Sequence, residues 1–312
     1  MLRLFTSIAI LFLQSIFVNT VYAEESTTEC VKISDAFERR LCIENKISDQ
    51  PFILIPYKPN YFVGSYVDDI ELDDPELDNF EAKFQISFKI PLSNYKNGYR
   101  CLWVENTHCY TFLGYTQLSV WQMLNLENSA PFRDTNFEPE LMITQLMNWS
   151  LFGNWKLRMI NYGLINHQSN GKSSQFSRSW NRSTLGGVVG DGSSYVGFKY
   201  WKRWNEKEKS SVDDLNGDDN PFIEDYVGNF EIEYFHAGDF NNFSVRIRDS
   251  KNNSGHMNYE LGWSYPLNRR SKFKDSDYRF YVQYFNGFGE TLIDYDVKRE
   301  RISVGFMLTD WL

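Results

Sequence analysis

Beyond its first 23 residues the chain contains no apolar run approaching the ~18 residues that a membrane-crossing helix needs. Its mean hydropathy is polar, at -0.47, so a helical membrane protein is excluded. Basic charge is in deficit, with 32 Lys and Arg against 41 Asp and Glu and a net charge of -9, which argues against nucleic acid as a partner. Cysteine is scarce: four occur, in the close pairs Cys30/Cys42 and Cys101/Cys109. That spacing suits no zinc site, and only His108 stands near either pair. Two local disulfides in an oxidising compartment are the simple account, with the connectivity left open. There are only four histidines, and no G-x-S-x-G elbow marks a hydrolase nucleophile.

What is present begins with MLRLFTSIAILFLQSIFVNTVYA: one basic residue, an apolar centre from Ile8 to Val18, and small residues at Val21 and Ala23. This reads as a secretory signal peptide cleaved after Ala23, because Gln14 interrupts the apolar run and Glu24-Glu25 follow at once. The mature chain is then unusually aromatic, 17% of all residues, with 25 Phe, 19 Tyr and 9 Trp. Abundant aromatics and charges without a long apolar segment fit an all-β fold, a transmembrane antiparallel β-barrel.

Alternation supports that class. In KFQISFKIPL, Phe84, Ile86, Phe88, Ile90 and Leu92 share one parity while Lys83, Gln85, Ser87 and Lys89 take the other. RISVGFML sets Ile302, Val304, Phe306 and Leu308 against Arg301, Ser303 and Gly305. NFEIEYF, FSVRIRD, NYELGWSYPL and YRFYVQYF repeat the pattern. The polar parity carries both signs of charge, which predicts a lumen laced with salt bridges. A soluble β-sandwich also alternates, but the long apolar faces and the export signal favour the barrel.

Short connections (151–155, 190–194, 236–240, 267–272) alternate with long polar ones, as periplasmic turns and outside loops should. Strands are predicted near 61–70, 81–92, 109–123, 139–151, 155–168, 178–189, 195–204, 222–236, 241–250, 256–267, 277–290 and 299–311, twelve in all. The chain divides into the signal peptide (1–23), an N-terminal periplasmic segment (24–60) and one barrel domain (61–312).

The stretch INHQSNGKSSQFSRSWNR, 165–182, holds the candidate chemistry. On WKLRMINYGLINHQS, Leu157, Met159 and Ile165 share parity with His167 and Ser169, so both point towards lipid. If Arg178 and Arg182 face the lumen, Asn181 faces outward beside His167. A serine needs a base to take its proton, and the base needs a third group to hold its tautomer. Ser169, His167 and Asn181 meet that requirement, and on an outer barrel wall the obvious substrate is a lipid.

NHQSNG followed by SRSWNR, with Asn181 fourteen residues after His167, resembles the active-site signature of the outer-membrane phospholipase A family. YTQLSVWQ (115–122), SAPFRDTNFEPEL (129–141), GDDNP (217–221), ELGWSYPL (260–267) and GFGETLIDY (287–295) extend the resemblance in order along the mature chain. The resemblance implies a twelve-stranded barrel of the bacterial outer membrane that hydrolyses phospholipid acyl esters, of A1, A2 and lysophospholipase type. It implies Ca2+ as cofactor, activity as a homodimer, and an active site towards the outer leaflet. His167, Ser169 and Asn181 then take the catalytic roles, and the backbone N–H of Gly171 serves the oxyanion. Calcium is held by Ser177 and the carbonyl of Lys172, with Ser129 supplied by the partner subunit. Gln117 matches a membrane-embedded glutamine at the dimer interface, although its strand parity is ambiguous.

Three positions depart from the family pattern. Gln168 stands where an Asp is expected and removes a nearby negative charge, Lys172 stands where an Arg is familiar, and Leu312 replaces a terminal aromatic. The acidic stretches 68–78 and 214–220 read as solvated loops; an EF-hand would want Gly where Asp219 stands. His108, His236 and His256 read as surface residues. A passive porin and an outer-membrane barrel protease are the rival functions, and the His167/Ser169/Asn181 constellation discriminates against both.

Overall fold

The computed structural model describes residues 29–48, 53–68, 76–93, 98–101, 107–211, 214, 217–238, 240–249, 257–267 and 278–310. The signal-peptide segment, most of the 68–78 stretch, His256 and Leu312 lie outside them. Among the described residues fourteen strands form one sheet, of which Ile55–Pro56 and Tyr99–Arg100 are two-residue pieces, leaving twelve long strands. These are β1 (Asn60–Val67), β2 (Phe80–Pro91), β3 (His108–Trp121), β4 (Phe132–Phe152), β5 (Trp155–Ser169) and β6 (Ser179–Gly190). They continue as β7 (Ser194–Arg203), β8 (Phe230–Ala237), β9 (Asn242–Asp249), β10 (Met257–Pro266), β11 (Arg279–Gly287) and β12 (Arg299–Thr309). Each pairs antiparallel with the next, and β12 returns to β1 through Val304↔Gly64, closing the barrel. Closure removes every long free edge, which is what hydrocarbon demands of backbone donors and acceptors. No helix among the described residues is long and apolar enough to cross a membrane.

The barrel is inverted relative to a water-soluble core. Ile86, Leu113, Leu185, Phe198, Leu261, Val304 and Phe306 are exposed, whereas Glu81, Lys83, Gln283 and Arg301 are buried. The predicted lacing of the lumen is present. Glu81 takes Arg133 at 2.6 Å and Arg301 at 2.8 Å, and Glu290 takes Lys83 and Arg301, both at 2.7 Å. Glu138 takes Lys58 at 2.7 Å and Arg182 at 3.2 Å.

Both mouths are filled. At the short-turn end, α1 (Ala36–Ile47) begins at Asp35, whose carboxylate accepts from the N–H groups of Phe37 and Glu38. That cap satisfies helix donors that would otherwise be orphaned. Ala36 and Phe37 pack on Val188, Tyr195 and Phe235, while Arg158 reaches from the wall to Asp35 and Glu38. The described part of residues 24–60 thus packs into this mouth. At the other end α2 (Ile223–Val227) packs Ile223 and Val227 on Trp180, Trp201, Leu292 and Tyr295. The strand expected from residue 222 begins only at Phe230; Ile223 and Val227, four apart, face the lumen as one helical side instead. Residues 288–290 likewise fall beyond β11, after Gly287. Both expected cysteine pairs are disulfides, Cys30–Cys42 and Cys101–Cys109.

Candidate active site

Strand β5 reaches the candidate residues through two bulges. Its pairing slips between Leu157 and Met159, and again between Gly163 and Asn166. The first slip turns Met159 inward against the α1 cluster, contrary to simple alternation from Leu157. The second leaves Leu164 and Ile165 both exposed on the outer wall, at 45% each. An inserted residue reverses side-chain facing, so two of them restore it. His167 and Ser169 therefore face outward as expected, although Met159 does not share their face.

The inner face of the same hairpin is locked. Gln168 accepts from the Trp180 indole at 2.8 Å, Arg182 donates to Asn166 at 2.9 Å, and the Arg182 guanidinium lies 3.9 Å from the Trp180 ring centre. Gln168 thus points into the lumen, behind the candidate site.

On the outer face His167 and Asn181 are directly opposed across β5 and β6, and His167 Nδ1 lies 2.9 Å from Asn181 Oδ1. The Asn oxygen accepts from Nδ1–H, so in the neutral imidazole Nε2 is the nitrogen left as acceptor. Ser169 stands two residues along on the same face, and its hydroxyl has no hydrogen-bond partner among the described residues. Gly171 adopts φ +66°, a conformation favouring glycine, where a Cβ would sit 3.3 Å from the Phe137 ring. Its N–H donates to nothing among the described residues, so it remains free for an oxyanion.

The proposed ligand atoms are separately arranged. Lys172 sends its ammonium 2.6 Å to the carbonyl of Arg133, away from its own carbonyl, which accepts no hydrogen bond among the described residues. Ser177 Oγ donates to Asp219 at 2.7 Å, Ser179 donates to it at 3.1 Å, and Lys209 pairs with it at 2.5 Å. Burial pushes the Asp219 carboxyl up, but the bonds from Lys209, Ser177 and Ser179 outweigh that and hold it below the usual range. Ser129 is exposed on the β3–β4 connection at φ 62°, with no hydrogen bond to Lys172 or Ser177. No group of three or more His, Cys, Asp or Glu able to hold a metal occurs among the described residues. A free carbonyl and a hydroxyl whose proton is already given away are nonetheless hard oxygen donors, which fits calcium. Gln117 lies opposite Ile86, so it faces outward; Tyr115 donates to it at 3.2 Å and it donates to Ser119 at 3.1 Å.

Sequence reasoning misses two residues here. Asp219 reads as part of a solvated loop but is packed against Ser177 and Ser179, while Asp218 pairs with Arg203 at 2.5 Å. Its place in GDDNP, one of the matching segments, is the available signal. Glu206, which accepts from Asn181 Nδ2 at 3.2 Å, has none. His236 is not a bare surface residue either, since its Nδ1 lies 3.0 Å from Ser194 Oγ. A cavity of about 290 Å³ occupies the lumen, lined by Lys58, Glu138, Lys199, Arg246 and Glu260. It contains none of the three outer-wall residues.

The family model described as Phospholipase A1 matches residues 37–308. The Phospholipase A1 of Escherichia coli K12 is 34% identical over 93% of this chain and 93% of its own length, and that of Proteus vulgaris 35% identical over 92% and 93%. Among solved structures, outer membrane phospholipase A from Escherichia coli superposes with a TM-score of 0.71 at 34% identity, covering 85% of this chain and 95% of that one. An active-site mutant of that enzyme, asparagine to alanine, gives a TM-score of 0.73 at 32% identity, covering 90% and 100%. The Salmonella typhi outer membrane phospholipase, solved as a dimer with bound calcium, gives 0.70 at 32% identity, covering 84% and 94%. The inverted twelve-stranded barrel and these matches together show that the chain belongs to the phospholipase A1 family of outer-membrane β-barrel enzymes.

Proposed function

We propose that the chain is a calcium-dependent phospholipase whose Ser169, His167 and Asn181 hydrolyse acyl esters on the outer wall of the barrel. The observation that carries this is the 2.9 Å His167–Asn181 bond beside a Ser169 hydroxyl with no partner among the described residues, on the outer wall. Ser169 Oγ attacks the ester carbonyl carbon while His167 Nε2 takes its proton, and the imidazolium is held by Asn181 Oδ1. The Gly171 N–H donates to the oxyanion as it forms. Collapse expels the lysophospholipid alcohol, which recovers the proton from His167. Water then cleaves the acyl-enzyme with His167 again as base, releasing fatty acid.

Calcium bound by Ser177 Oγ and the Lys172 carbonyl would add positive charge beside the oxyanion. The related enzyme solved as a calcium-bound dimer supports assigning the partner's Ser129 to complete that site, and Gln117 to the interface. Activity then depends on homodimerisation. Export by the 1–23 segment, with short turns in the periplasm, sets the triad at the long-loop end, towards the outer leaflet. Cleavage at both acyl positions, and of lysophospholipid, follows if the outer wall grips the acyl chain alone.

The test is fatty-acid release by purified protein from micellar phospholipid labelled separately at each acyl position. Release that requires calcium, stops with chelator and tracks the dimeric fraction is expected. Absence of calcium-dependent release, or full activity in the monomeric fraction, refutes the reading.

A further inference from the structure

The segment following β7 grips Asn181 from the side away from His167. The Trp204 N–H donates to the Asn181 carbonyl at 2.8 Å, and the Trp204 indole donates to Ser183 Oγ at 3.0 Å. Glu206, half-buried, accepts from Asn181 Nδ2 at 3.2 Å. Three residues on, Lys209 holds Asp219 and through it Ser177 and Ser179. One segment therefore fastens both halves of the candidate site.

The bond from Asn181 to Glu206 has a chemical consequence that the backbone bond lacks. An asparagine amide has two ends of nearly the same shape, one an acceptor and one a donor. With Oδ1 towards His167, Nδ1 keeps the proton and Nε2 is a base. With the NH2 end towards His167, the proton must sit on Nε2 and the base is lost. An aspartate offers acceptors only and needs no such selection. A carboxylate behind the amide accepts only, so it can pair with the NH2 end and never with the oxygen.

We propose that Glu206 is a positioning residue for ester hydrolysis, locking the Asn181 amide in the orientation that makes His167 a base and lending it the negative charge that asparagine lacks. The inference rests on the triad reading above. Because it concerns one amide torsion rather than general loop packing, its sign reverses when the amide is replaced. In the parent, Glu206→Ala should lower kcat about tenfold with KM unchanged. In an Asn181→Asp background the same substitution should leave kcat equal or raise it, because two adjacent carboxylates repel.

The experiment measures kcat and KM on micellar phospholipid with saturating calcium for the four proteins of this cycle, with Glu206→Gln as a second, nearly isosteric variant. Folding is checked by heat-modifiable electrophoretic mobility. Nitrogen NMR of the imidazoles, of which there are only four, reads the His167 tautomer directly. A loss of kcat in the parent, its disappearance in the Asn181→Asp background, and a shift from the Nδ1–H tautomer support the proposal. Parental kcat with an unchanged tautomer overturns it, as does an equal loss in both backgrounds, which would mark Glu206 as loop packing. Ser169→Ala separates the two readings: if that variant still turns over, the triad assignment fails; if it is dead while Glu206→Ala is unaffected, only the Glu206 inference fails.

Discussion

Glu81 and His167 lie on opposite faces of one barrel wall and are partnered in opposite ways. All four carboxylate oxygens of Glu81 and Glu290 are taken, by Arg133, Arg301 and Lys83, with Glu81 and Arg301 fully buried. On the outer wall His167 has its one partner, Asn181, while the Ser169 hydroxyl, the Gly171 N–H and the Lys172 carbonyl have none among the described residues. Buried carboxylates are tolerable when opposite charges and hydrogen bonds offset their desolvation cost. A reacting group must keep bonding capacity open for the substrate. Polarity therefore marks both clusters, and unspent capacity next to an oriented base is what distinguishes the one proposed to be reactive.

That contrast is broken most directly by exchanging phenotypes. On the triad proposed above, Ser169→Ala should cut turnover by roughly a thousandfold or more, because such groups act as a unit. It should leave the urea unfolding midpoint in detergent where it was, because no hydrogen bond of the described structure is lost. Arg301→Met should do the reverse. It strips a cation from Glu81 and Glu290 at once and should destabilise the barrel by about 3–5 kcal/mol, while each molecule that remains folded turns over at close to the parental rate. An Arg301 variant of normal stability and no activity would mean the lumen takes part in the chemistry.

The division between the faces is legible wherever a strand runs without interruption. Phe84 to Leu92 and Ile302 to Leu308 alternate in sequence as they do in the barrel, because a period of two is the geometry of an extended chain. The cysteine pairs are legible for a similar reason, each being local. Strand β5 is legible only in its outcome: its two slips cancel, so His167 faces as counted while Met159 does not. What escapes is held by loops. Ser177 meets Asp219 across 42 residues and Asn181 meets Glu206 across 25, and no periodicity encodes such contacts. The roles of Gly171, Lys172 and Ser177 come from the family resemblance, since free carbonyls and N–H groups leave no trace in side-chain identity.

A finer cut compares two asparagines on one hairpin. Asn181 faces out to His167, whereas Asn166, one ladder step further in, faces the lumen and bonds Glu138, Glu140 and Arg182. Asn181→Ala should lower kcat by about 10- to 100-fold through loss of the tautomer, with the unfolding midpoint nearly unmoved. Asn166→Ala should cost about 1–3 kcal/mol by leaving buried charges short of a partner, with kcat per folded enzyme retained. The same residue type would then report stability on one face and catalysis on the other. Equal effects of the two on kcat would show the faces to be coupled through the hairpin.

The smallest effect concerns Asp219, which stands between the two regimes: mostly screened from water, yet in the loop that serves the outer site. Its carboxyl is held below the usual range in the folded protein, despite burial, by Lys209, Ser177 and Ser179. A folded value below the unfolded one means the attachment contributes its full stability above the ordinary aspartate range and loses it as pH falls through the depressed value. Below about pH 4 the segment from Trp204 to Ser211 should therefore loosen, with faster limited proteolysis there and no change in the barrel's mobility on electrophoresis. The Glu81 and Glu290 pairs, satisfied on every carboxylate oxygen and shielded from solvent, should hold at the same pH. Asp219→Asn should make the segment equally labile at neutral pH and abolish the acid transition. If cleavage of the Asp219→Asn protein still rises on acidification, a different carboxylate controls the segment, and the loop's hold on Ser177 does not run through Asp219.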